Sequence, residues 1–155
     1  MSASPVIEAA RPSDVPAIRA IVAAAYGQYV ERIGREPAPM NADYAKLVGD
    51  GHVVVARRDG EVVGMMVMEL HPDHLHVANL AVDPKIQGSG VGSLLLTYAE
   101  HCARSQERPE MRLYTNAKMT ENLEYYPRRG FRETGRHSED GFDRVYFTRE
   151  LRTEV

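Results

Sequence analysis

The sequence holds 155 residues, 43% apolar and 26% charged, enough for one folded domain over residues 1–155 that buries about two-thirds of the surface its unfolded chain exposes. That balance excludes the disordered and fibrous classes, and a formal net charge of -3 excludes a general nucleic-acid binder, which needs an excess of Lys and Arg along one face. One cysteine, Cys102, permits no disulfide framework; the longest apolar run is Ile21–Tyr26 and Met1–Pro5 is unlike a signal peptide, so a cytoplasmic protein without a membrane partner is expected.

In chain order, Val6–Ala10 reads as a short strand. Ser13-Asp14 then supplies the N-cap and first-turn acid of a helix to about Val30, with Val15, Ile18, Ile21, Val22 and Ala25 on one face. Gly34–Pro39 is a loop by composition, after which Asn41 is expected to cap a short helix through Val48. His52–Arg57 and Glu61–Glu69 are strands joined by Asp59-Gly60, a dipeptide suited to the positive φ angles of a hairpin turn. A turn at Pro72-Asp73 leads into a third antiparallel strand, Leu75–Val82, which Asp83-Pro84 closes because proline donates nothing to a ladder. Helical spacing resumes from Gly90 to about Arg104 with Val91, Leu95, Tyr98 and Cys102 on one stripe, and a strand follows at Arg112–Thr115. The helix between these two strands predicts a right-handed parallel crossover. Thr120–Arg129 reads as a helix, and Phe131–Arg136 with Val145–Leu151 as a hairpin around Ser138–Gly141. The fold class is α+β, with a mixed, mostly antiparallel central sheet flanked by helices.

The segment Gln87-Gly88-Ser89-Gly90-Val91-Gly92 lies just after a strand and opens a helix. Its backbone N–H groups are little obstructed by side chains, which suits a phosphate oxygen, and the helix dipole adds about 0.3–1 kcal/mol per charge. A dinucleotide fingerprint starting at Gly88 requires Gly or Ala where the chain has Ser93, and a Walker A loop requires a Gly-Lys-Ser or Gly-Lys-Thr that the chain lacks. The pattern that fits is Q/R-x-x-G-x-G/A, met by Gln87, Gly90 and Gly92 and preceded by Asn79-Leu80-Ala81-Val82-Asp83-Pro84. A second block, Asn122-Leu123-Glu124-Tyr125-Tyr126-Pro127-Arg128-Arg129-Gly130-Phe131, places a tyrosine ahead of a Gly-Phe pair, and Arg11-Pro12-Ser13-Asp14 opens the first helix. Together these blocks resemble the acyl-CoA-binding motif, the tyrosine-bearing helix and the helical start of the GNAT superfamily of N-acetyltransferases, in that order over nearly the whole chain.

The resemblance implies acetyl-CoA as the acyl donor. It implies that the pantetheine arm pairs with Leu80, Ala81 and Val82, with Asn122 beside it, and that the pyrophosphate lies on Gln87, Gly88, Ser89, Gly90, Val91, Gly92 and Ser93. Tyr126 takes the place of the family's general acid toward the departing sulfur. A phenol of pKa about 10 protonating a thiolate of pKa about 8.5 is roughly 2 kcal/mol uphill, so either the site lowers the Tyr126 pKa or the hydroxyl stabilises sulfur by a hydrogen bond. Tyr125 is the alternative, about 100° away around the helix. Pro127 departs from the commoner pattern and disfavours helical geometry at Tyr126. Many relatives carry a Glu where this chain has Ala78, which leaves His76 as the candidate base and Glu69 as the second candidate. His71, His74 and His76 straddle a turn with Pro72, a spacing from which no metal site is expected. Lacking the strand carboxylate, the site suits an amine nearer pKa 7.8 than 10.4, values typical of about an α-amine and about a lysine.

Acceptor recognition is expected from the first helix, the loop after it and the final hairpin. Tyr26, Tyr29 and Tyr44 fit that role and fit core packing equally. Glu31, Glu36, Asp43, Glu139, Asp140 and Asp143 read as acids that solvate loops. The sequence therefore predicts transfer of an acetyl group from acetyl-CoA to a primary amine of a small molecule or peptide, by direct attack in a ternary complex. A non-catalytic acyl-CoA-binding module is the rival, and a homodimer is compatible with either.

Overall fold

The computed structural model describes residues 4–151 of the chain, so the expectation drawn from Met1, Ser2 and Ala3 lies outside the described residues. Seven strands, Val6–Ala9 (β1), Val53–Arg58 (β2), Glu61–Leu70 (β3), Leu75–Val82 (β4), Glu110–Asn116 (β5), Arg132–Glu139 (β6) and Phe142–Glu150 (β7), form one sheet in the order β1-β2-β3-β4-β5-β7-β6. The pairs β1/β2, β2/β3, β5/β7 and β6/β7 are antiparallel. β4 and β5 run parallel, with Leu75 opposite Met111 and His76 opposite Arg112. The mixed, mostly antiparallel α+β sheet and its parallel crossover pair are as the sequence predicts. No helix of the described residues is long and apolar enough to cross a membrane.

The chain divides into two compact units, one of residues up to Met68 with Asn79–Tyr98, the other of Glu69–Ala78 with the residues from Ala99 on. In the first unit the helix Val15–Gly27 (α1) buries Val15, Ile18, Ile21, Val22 and Ala25, the predicted face. It stops short of the predicted end: the Tyr29 N–H turns back to the Tyr26 carbonyl, and Val30–Ile33 (α2) forms a separate turn ended by Gly34 at φ 89°. Asn41 does not cap the next helix. It closes a 3₁₀ turn, and Asp43, which stands immediately before the first helical residue, caps Tyr44–Gly49 (α3) by accepting the Lys46 N–H at 3.1 Å. The β2–β3 turn has Asp59 and Gly60 at φ 52° and 83°, the positive pair the sequence predicts. At Gly64 an added Cβ would stand 3.0 Å from Val91 Cγ1 and 3.2 Å from Leu95 Cδ1, so only glycine admits such close packing there.

The buried positions of Val91–Ser105 (α4) are Val91, Leu95, Leu96, Ala99 and Ala103, while Tyr98 and Cys102 are half-buried. The inward row thus advances by four residues each time through two small alanines, instead of alternating three and four through Tyr98 and Cys102. In the second unit, Thr120–Tyr125 (α5) ends before Pro127, and Pro127–Arg129 forms a 3₁₀ turn closed by Gly130 at φ 89°. Tyr126 nevertheless stays helical at φ -69° and ψ -41°, because its N–H bonds the Asn122 carbonyl at 3.1 Å and its own carbonyl accepts from Arg129 and Phe131. The final hairpin is longer than predicted, its strands reaching Glu139 and Phe142 and turning on Asp140 and Gly141 at φ 54° and 81°.

Candidate active site

In the first unit the end of β4 leads directly into the glycine turn. The Asp83 N–H bonds the Val63 carbonyl at 2.9 Å, holding that end of β4 to β3, and the Asp83 carboxylate caps the turn Pro84–Ile86 by accepting the Lys85 N–H. The Ser89 N–H is spent on the Ile86 carbonyl at 3.1 Å, and the Gln87 N–H lies 3.5 Å from the Pro84 carbonyl. The Gly90 carbonyl accepts the Leu94 N–H, which makes Gly90 the first half-helical residue of α4. The N–H groups of Val91, Gly92 and Ser93 therefore precede any intrahelical carbonyl partner and are the groups offered to an anion, together with those of Gly88 and Gly90. Gly88 and Gly90 sit at φ 87° and 92°, and a Cβ on either would meet nothing within 4 Å, so the space over the turn is open. Glycine is needed there for backbone conformation alone.

Leu80 and Val82 are half-buried and Ala81 is buried. The Tyr26 hydroxyl of α1 donates to the Leu80 carbonyl at 3.0 Å, and burial pushes this phenol up to about 12. Asn79 donates its amide to the Tyr44 hydroxyl at 3.2 Å, and Tyr44 in turn donates to the Pro39 carbonyl at 2.5 Å. Tyr29 and Tyr44 are core residues, and the Tyr26 hydroxyl is committed to β4.

In the second unit, Tyr126 is buried, with its ring 5.3 Å from Tyr125, 5.8 Å from Phe131 and 5.9 Å from Phe147. Tyr125 is engaged elsewhere: the Arg129 guanidinium lies 3.6 Å over its ring, and burial raises its pKa. Asn122 donates its amide to the Thr115 hydroxyl at 2.9 Å, tying α5 to β5.

His76 lies on one wall of a cavity of about 490 Å³ within this unit, lined also by Glu69, Tyr114, Glu139, Arg144 and Tyr146. Burial lowers its pKa, reinforced by His74 and His71 and opposed by Glu69, so the imidazole is neutral at pH 7 and able to accept a proton. Its Nε2 is 4.0 Å from Glu69 Oε1, and its ring lies 5.6 Å from that of Tyr114. His71 and His74 stack at 4.6 Å, and among the described residues no group of three His, Cys, Asp or Glu is placed to hold a metal ion. Glu139 does more than solvate a loop, accepting from Arg144 at 2.9 Å and from the Tyr146 hydroxyl at 2.6 Å. Tyr126 and Asn122 do not line this cavity; Phe147, which does, is a ring that Tyr126 packs against.

The sequence reading missed Tyr114, Arg144 and Tyr146. Their signal is the alternation of β5 and β7, where buried Met111, Leu113, Val145 and Phe147 alternate with Arg112, Tyr114, Arg144 and Tyr146. A face left to solvent alone has no need of paired tyrosines.

The chain is 37% identical over 90 residues to an aminoalkylphosphonate N-acetyltransferase of Salmonella typhimurium, covering 54% of this chain and 58% of that relative. It is 31% identical over 94 residues to the peptidyl-lysine N-acetyltransferase YjaB of Escherichia coli, covering 61% of this chain and 57% of that relative. These matches span a little over half of each relative's length. The fold is that of the PaiA N-acetyltransferase of Thermoplasma acidophilum, solved in complex with coenzyme A, with a TM-score of 0.79 at 13% identity over 96% of this chain and 100% of that one. Residues 49–133, more than half of the chain and drawn from both units, match the acetyltransferase (GNAT) domain, and the chain belongs to that family.

Proposed function

We propose that this chain is one acetyltransferase domain that moves an acetyl group from acetyl-CoA to a primary amine by direct attack in a ternary complex. The observation that carries the reading is the turn after β4, where Gly88 and Gly90 at positive φ lie at the opening of α4 beneath unobstructed space. A pyrophosphate there meets the N–H groups of Gly88, Gly90, Val91, Gly92 and Ser93 and the positive end of a helix dipole. The exposed side chains of Gln87 and Ser89 are placed to add polar contacts. Leu80, Ala81 and Val82 pair with the pantetheine arm, and Asn122 holds the tyrosine-bearing helix to β5.

In the reaction the amine lone pair attacks the thioester carbonyl carbon and the C–S bond breaks. The proton lost by the attacking nitrogen passes to neutral His76, and the departing sulfur receives a proton or a hydrogen bond from Tyr126. Neutrality of His76 supports its role as base. The names of the two relatives support an amine acceptor, phosphonate-bearing in one and a peptidyl lysine in the other. A cytoplasmic setting suits a chain whose single cysteine, Cys102, permits no disulfide framework.

The test is thiol release from acetyl-CoA across a panel of primary amines, with the acetylated product identified by mass. Release with several amines supports the reading. Tight acetyl-CoA binding with no release from any amine would favour a non-catalytic module.

A further inference from the structure

The cavity beside His76 carries cations and carboxylates in unequal readiness to bind. Both lining guanidinium groups are already matched. Arg144 Nη1 lies 2.9 Å from Glu139 Oε2 and its guanidinium 4.4 Å over the Tyr114 ring, while Arg112 lies 2.6 Å from Glu110 and 3.4 Å from Asp73. Glu69 has a looser neighbour, His76 Nε2 at 4.0 Å. That gap is too wide for a direct hydrogen bond, yet one nitrogen placed between the two atoms reaches both at about 2.8 Å. Beyond it the rings of Tyr114 and Tyr146, 5.4 Å apart and tilted by 47°, form an aromatic wall.

We infer that the acceptor is a monocationic primary amine on an apolar or aromatic body without an anionic group, its nitrogen held between Glu69 and His76 and its body along Tyr114 and Tyr146. This rests on the acetyltransferase reading above. The ammonium finds a carboxylate that no guanidinium neutralises, and the aromatic wall takes the apolar body and attracts the cation. A carboxylate or phosphonate on the acceptor finds no such place, because it must displace Glu139 from Arg144 or compete with Glu110 and Asp73 for Arg112. A cavity of about 490 Å³ is in the range of small-molecule sites.

The test compares kcat/KM for phenethylamine, phenylalanine and 2-aminoethylphosphonate, followed by thiol release from acetyl-CoA. Phenethylamine is expected to exceed both zwitterions by at least about tenfold, and Glu69→Gln to raise its KM by about tenfold while KM for acetyl-CoA holds. Glu139→Gln, which frees Arg144, is expected to narrow the gap between phenethylamine and 2-aminoethylphosphonate. Equal or better use of either zwitterion by the wild type overturns the inference and leaves acetyl transfer standing. Failure of every amine to release thiol overturns the acetyltransferase reading instead. Calorimetry then decides the inference alone, since phenethylamine binding unchanged by Glu69→Gln contradicts it.

Discussion

Two side chains carry the proposed proton transfers, and their surroundings set what substitution does. Tyr126 is packed among Tyr125, Phe131 and Phe147, so Tyr126→Phe keeps the ring and removes only the hydroxyl. Turnover is expected to fall by about tenfold to a thousandfold, with acetyl-CoA binding by calorimetry unchanged; undiminished turnover would remove the hydroxyl from the chemistry. His76 has its pKa lowered by burial, so it remains neutral as pH falls past about 6.5 and protonates only below that. The acid limb of kcat/KM is therefore expected below pH about 6.5 and is expected to disappear in His76→Gln along with most activity. Folding follows the same sign: a depressed imidazole contributes stability that is present above the unfolded value and is lost as pH falls through the folded one. Tyr26 has the opposite case, its pKa raised to about 12, so its contribution is complete below pH about 10 and is lost as pH rises through the folded value.

At the scale of elements, the glycines separate conformation from space. Gly90→Ala meets no atom within 4 Å but forces a side chain onto φ 92°, a strain of about 1–3 kcal/mol. Denaturant unfolding is expected to show that loss, and KM for acetyl-CoA to rise as the turn relaxes. Gly64→Ala has ordinary φ but brings Cβ to 3.0 Å from Val91 and is expected to cost about 1–3 kcal/mol through overpacking. Elements marked by periodicity and turn chemistry were legible in the sequence: the buried face of α1, the Asp59-Gly60 turn and the β4 stop at Asp83-Pro84. Asp43 as cap in place of Asn41, and Ala99 and Ala103 in place of Tyr98 and Cys102, were not. Each depends on which neighbouring residue tertiary packing selects from near-equal local candidates. The glycine turn announced itself by composition, whereas the His76 cavity draws on Glu69, Tyr114 and Tyr146 from three strands and has no local spacing to betray it.

At the scale of the whole molecule, stability against acid rests in part on Asp14. Burial opposes its ionisation, but the Arg11 N–H at 2.9 Å and the Arg57 guanidinium at 2.9 Å outweigh that and hold the carboxyl below its usual range. Its contribution is present above the unfolded value of about 3.9 and is lost as pH falls through the folded one. Asp14→Asn is expected to cost about 3 kcal/mol at pH 7 and to flatten the acid branch of the stability curve, since it removes the buried carboxylate of the pair and leaves half-buried Arg57 with Glu8 alone. Direct attack requires acetyl-CoA and amine bound together, whereas a relay through a nucleophile such as Cys102 releases CoA before the amine reacts. The most direct measurement is the initial rate with phenethylamine varied at several fixed concentrations of acetyl-CoA. Intersecting double-reciprocal lines, with no acetylated protein detected by mass, are the predicted result; parallel lines accompanied by an acetylated enzyme would contradict direct transfer.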